Sequence, residues 1–167
     1  MRFALCLLLA VTTLAGSATA ANWPQFRGVG GSGLAESGRP LPTEIGPDSK
    51  HIAWKVAFPP GHSSPILFGD RLFLTAVRDK TLLTIAVSKT TGKILWERET
   101  PYESLEAIHA IGSHAQPSPA TDGKLVVSRF GSSGMYCHDV DGKLAWKKAM
   151  DTTFTPHFSA GSIWPST

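Results

Sequence analysis

Cysteine is almost missing from this chain. Of two, Cys6 and Cys137, the first lies in a short apolar stretch at the very start. If that stretch is removed, Cys137 is left alone, and no disulfide can form within the chain. A lone cysteine in an oxidising compartment is tolerable when it is buried. Long hydrophobic runs are missing too. Phe3 to Val11, extended weakly to Leu14, falls short of the ~20 residues that a spanning helix needs. No segment shows a convincing helical apolar stripe. Charged residues make up 17% of the chain with a net charge of +3, and the Lys and Arg residues are scattered among Asp and Glu. No basic stripe with interleaved aromatics exists, so nucleic acid is not an expected partner.

The amino terminus has the grammar of an export signal. Arg2 supplies the positive start, the apolar run follows, and Gly16-Ser17-Ala18-Thr19-Ala20 is a small-residue tail with an Ala-x-Ala site before Ala21. Ser17 stands where a lipoprotein would carry its lipid-bearing Cys. We therefore expect a signal peptide over 1–20 and an exported, unanchored product, periplasmic or extracellular, with no transmembrane segment after cleavage. Residues 21–50 are rich in Gly and Pro and read as an irregular lead-in over the surface. Within it, Gly28-Val29-Gly30-Gly31-Ser32-Gly33 superficially suggests a phosphate loop. It lacks the preceding strand, the following helix and the Lys-Ser/Thr that such chemistry requires.

The remaining sequence repeats itself. Gly92-Lys93-Ile94-Leu95-Trp96 returns as Gly142-Lys143-Leu144-Ala145-Trp146. Upstream, the stretch from Ser64-Pro65 to Leu74 parallels that from Ser118-Pro119 to Val127. Trp54, Trp96 and Trp146 mark the period. Self-similarity on this scale specifies a repeat architecture. Strands are expected at Ile52–Phe58, Pro65–Phe68, Arg71–Val77, Leu82–Ser88, Lys93–Arg98, Leu125–Phe130, Met135–Asp139 and Lys143–Lys148. They are rich in Val, Ile, Leu, Phe and Thr, with Gly and Asp at the turns. An insertion, Glu99 to Gln116, separates the two clear repeats. Four short antiparallel strands per repeat, closed by a Gly-turn-Trp strand, describe a propeller blade. The expected fold is all-β: a partial β-propeller of roughly three four-stranded blades over 51–167, incomplete at its C-terminal end.

Ala86-Val87-Ser88-Lys89-Thr90-Thr91-Gly92-Lys93-Ile94-Leu95-Trp96 resembles the tryptophan-docking motif of quinoprotein-type, PQQ-binding-like propellers, with Ser88 where Asp is usual. Cys137 to Trp146 resembles it again, keeping Asp139 but one residue shorter in the turn. Asn22-Trp23-Pro24-Gln25-Phe26-Arg27-Gly28 is similar to the mature start of exported bacterial proteins with these repeats, and Ser113 to Pro119 also has its likeness there. The resemblance implies a propeller of seven or eight blades, of which this chain would be an N-terminal fragment. It implies structural docking roles for Gly92, Trp96, Gly142 and Trp146. It does not imply bound quinone. Quinoprotein dehydrogenases hold the cofactor against a disulfide of adjacent cysteines and add a calcium ion and a catalytic Asp; none of those motifs is recognisable here. Related propellers do without a cofactor, and one kind serves as a scaffold in outer-membrane protein assembly. The reading is a non-catalytic exported binding or scaffold module, with no cofactor and an unknown protein or small-molecule partner. The alternatives are part of a quinone-dependent dehydrogenase whose active site lies in further sequence, or a propeller joined to an unrelated enzyme domain.

Histidine is the one residue type with a suggestive placement. His62, His114 and His157 each precede a Pro-containing inner strand, and His109 lies in the insertion. They are expected on one face, around the mouth of an axial channel, where imidazoles suit metal or anionic ligands. Hydrogen-bonded loop histidines are the reading preferred over such a site. The Ser-Pro phrases carry no base or oxyanion hole, so no catalytic residue is assigned.

Overall fold

The computed structural model describes residues 21–35 and 40–150. Residues 1–20, where an export signal is expected, residues 36–39 and the segment carrying His157 lie outside them. Two antiparallel sheets of four strands account for the regular structure. The first blade runs β1 (Ile66–Phe68), β2 (Arg71–Arg78), β3 (Thr81–Ser88) and β4 (Ile94–Thr100); the second runs β5 (Ala120–Thr121), β6 (Leu125–Phe130), β7 (Gly134–Asp139) and β8 (Leu144–Lys148). Each strand pairs only with its sequence neighbour, so both blades are simple meanders. Both carry a register shift at the same place, between Ala86 and Val87 in the first and between Cys137 and His138 in the second. The fold is all-β, built of propeller-type blades.

The first blade is covered on both faces, which explains why β3 is buried along nearly its whole length. Its side chains alternate between two clusters, as a period of two requires. Ala76, Leu83, Ile85 and Val87 gather with Trp54, Phe58, Leu72 and Leu74. On the opposite face, Ile66, Phe73, Ala86 and Trp96 pack with Val126 of the second blade. A third cluster of Leu82, Ala115 and Phe130 takes in Leu105 from the inserted loop.

Two expectations need correction. Ile52–Phe58 is not a strand. No strand pairs with it among the described residues, and Trp54 and Phe58 instead pack against the first blade. The lead-in also does more than run over the surface. Trp23 and Leu67 exchange backbone hydrogen bonds of 2.7 and 2.8 Å, and Thr121 N–H donates to Pro24 O at 2.9 Å. The start of the lead-in thus touches β1 and β5, the first strands of both blades. Gly69 N–H donates to Asn22 Oδ1 at 2.9 Å, and Gln25 is buried.

Candidate functional site

The chemistry-bearing residues converge on the seam between the blades, and tryptophan organises it. The Trp96 indole N–H donates to Val140 O at 2.9 Å, and its ring lies against Gly142. One repeat earlier, the Trp54 indole N–H donates to Lys89 O at 2.7 Å, and its ring lies against Gly92. Lys89 and Val140 are equivalent: each follows a residue whose N–H closes the turn, Ser88 onto Lys93 O and Asp139 onto Lys143 O, both at 2.9 Å. The glycines have φ of 71° and 85°, a region that disfavours other residues, and a Cβ at either would meet the ring at under 3 Å.

The departure from Asp at position 88 is made good locally. Asp139 Oδ1 accepts the N–H groups of Asp141 and Lys143 at 3.0 and 2.8 Å. Ser88 Oγ accepts only Thr91 N–H, at 3.3 Å, and donates to Asp70. The Thr90 hydroxyl donates to Asp70 at 2.6 Å and, with Ser88, holds that carboxyl below its usual range against the opposing effect of burial. The carboxylate that the turn lacks at 88 comes from the β1–β2 turn.

Several polar groups inside the seam are satisfied across it. Thr84 and Ser128 hydroxyls meet at 2.7 Å, and Thr75 Oγ1 donates to Pro117 O at 3.1 Å. Ser64 N–H donates to Ser118 Oγ at 2.8 Å, which gives the repeated Ser-Pro phrase a structural role. Arg71 donates to Val140 O and pairs with Asp141. Arg98 lies over the Trp96 ring, 5.5 Å from its centroid, and its Nε donates to Gly142 O at 2.6 Å. Cation–π attraction and hydrogen bonding thus clamp the same turn.

The four docking positions do not share one environment. Gly92, Gly142 and Trp96 are buried, whereas Trp146 is 42% exposed. No blade covers β8 among the described residues. Of the sequence-selected histidines, His62 is exposed and its N–H donates to Ala115 O at 3.0 Å, which brings its backbone beside that of His114. His114 Nε2 bonds Glu106 O at 2.9 Å, and exposed His109 accepts from Ile111 N–H through Nδ1. Among the described residues, no group of three or more His, Cys, Asp or Glu side chains could hold a metal ion. Of the two histidines the sequence did not single out, His51 and His138, the second lies in the seam. It is 3% exposed, 5.9 Å from the Trp96 ring, and its Nδ1 is buried without a hydrogen-bond partner. Burial, reinforced by the nearby Arg98 charge, pushes its pKa down. The available signal was its position one residue before Asp139, in a strand whose alternate residues must face the neighbouring blade. Cys137 is fully buried, and burial raises its thiol pKa.

A comparison with curated proteins gives no match. Over residues 24–158, spanning both blades and most of the lead-in, the chain matches the PQQ-like repeat family described as outer membrane protein assembly factor BamB, and it belongs to that family.

Proposed function

We propose that this protein is a non-catalytic, exported β-propeller scaffold that acts by binding another protein during outer-membrane assembly. The observation that carries the reading is the family match across both blades, since the family is described by an assembly role. The site geometry supports it. Trp96 with Gly142, and the Ser-Pro serine Ser118 with Ser64, join one blade to the next. No helix among the described residues is long and apolar enough to cross a membrane. Export rests on the leader pattern over 1–20.

The test has two arms. Deleting the gene in its own host should lower the outer-membrane content of β-barrel proteins while leaving quinone-dependent substrate oxidation unchanged. Equilibrium dialysis of the full chain against pyrroloquinoline quinone and calcium should show no stoichiometric retention. A micromolar complex, or loss of oxidation with β-barrel levels intact, would overturn the scaffold reading in favour of a dehydrogenase.

A further inference from the structure

Where β4 of the first blade meets β7 and β8 of the second, the rim of the seam opens into a cleft of about 530 Å³. Its cationic lining comes from both blades: Arg98 from the first, Lys143 and Lys147 from the second. Glu99 is the one carboxylate among its lining residues, so positive charge is in excess. Tyr136 and His138 also line it. The Tyr136 hydroxyl already donates to Pro101 O at 3.1 Å, whereas the His138 Nδ1 has no partner. A buried polar atom without a partner is uncommon and calls for an occupant. Arg98 is held in place by its bonds to Gly142 O and Glu97 O, so its charge is presented at little further ordering cost.

We propose that this cleft binds a compact oxyanion, a carboxylate or a phosphate group, held by Lys143, Lys147 and Arg98 with the His138 imidazole at its inner end. Hydrogen bonds to backbone carbonyls hold Arg98 and burial holds His138, while the two lysines are exposed. The cleft exists only when the blades are joined, so a bound anion also ties the seam together.

The test uses the full chain titrated by calorimetry with inorganic phosphate and, separately, with N-acetyl-aspartate, while the His138 ring signals are followed by NMR. Saturable binding in the millimolar range or tighter is expected for at least one probe, with the His138 signals moving in step. The exposed pair Lys143→Gln/Lys147→Gln leaves the seam contacts in place and should weaken binding at least about fivefold. Tighter phosphate binding identifies a phosphate-bearing ligand, and tighter N-acetyl-aspartate binding a carboxylate-bearing one; either supports the site. Saturation by neither probe, equal binding in the double variant, or binding that leaves His138 unmoved overturns it. None of these readouts depends on the assembly role or on quinone.

Discussion

Trp96 and Trp146 occupy the same place in the same repeat and have opposite environments. Each ends a Gly-Lys-x-x-Trp phrase, and each pairs with the residue just before a register shift, Ala86 or Cys137. Yet Trp96 is 7% exposed and Trp146 is 42% exposed. The local code is therefore not what buries the indole. The neighbouring blade does so, by supplying a glycine turn with a free carbonyl. The first blade has such company on both faces: its own turn receives Trp54, and its last strand sends Trp96 into the second blade. The second blade receives a tryptophan and, among the described residues, sends none into a neighbour.

The largest expected effect breaks this comparison at its centre. Trp96→Ala should destabilise the chain by about 3–5 kcal/mol, since it empties the seam cluster and removes both the indole's bond to Val140 O and the ring beneath Arg98. Trp146→Ala should cost less, about 1–2 kcal/mol in the same chain, because 42% of the residue stays in contact with water and no glycine turn receives its indole among the described residues. Urea unfolding followed by far-UV circular dichroism measures both. Equal costs would mean that the docking geometry contributes nothing beyond the strand itself.

The receiving side is next. Gly142→Ala should cost about 2–3 kcal/mol, part from backbone strain at positive φ and part from the Cβ meeting Trp96. In a Trp96→Ala background the contact vanishes and only the strain, about 1 kcal/mol, should remain. An additive cycle would remove the ring-on-glycine contact from the account of the seam.

These contrasts show why some of the fold was legible in advance and some was not. Apart from β5, which was not among the expected strands, the strands of both blades follow the alternation and turn glycines to within a residue or two, because those signals are local. Ile52–Phe58 has the composition of a strand but no partner, and pairing is not written in composition. The lead-in's grip on β1 and β5 rests on main-chain groups of Trp23 and Pro24, whose side chains announce nothing about it. Of the site, the glycines and Trp96 were legible through repetition. The partnerless Nδ1 of His138 was not, since it occurs in one blade and has Val87 as its counterpart in the other.

The buried hydroxyl pair offers a finer probe of the same seam. Thr84→Val should cost about 1–2 kcal/mol, since it removes the partner of Ser128 inside the interface. Adding Ser128→Ala should recover much of that loss, because two apolar groups facing each other leave nothing unsatisfied. If the double variant is as unstable as the sum of the singles, the pair is not coupled, and the hydroxyls matter for packing alone.

The smallest expected effect separates the blades by pH. His138 has a folded pKa below its ordinary 6.5, from burial first and the Arg98 charge second, with Asp139 opposing. Between the folded and unfolded pKa values the unfolded chain binds more protons, so stability rises with pH. The contribution is complete above about 6.5 and is lost as pH falls from there through the folded pKa. The groups around the imidazole that bear on this window are Arg98 and Asp139, with Lys143, Lys147 and Glu99 in the adjoining cleft. His138→Gln should therefore flatten the stability profile between pH 7 and 5, measured as the urea midpoint at each pH. Val87, its counterpart in the first blade, cannot titrate, so Val87→Ala should lower stability equally at every pH. A His138→Gln profile that keeps the wild-type slope would assign the pH response to other groups and detach it from the seam.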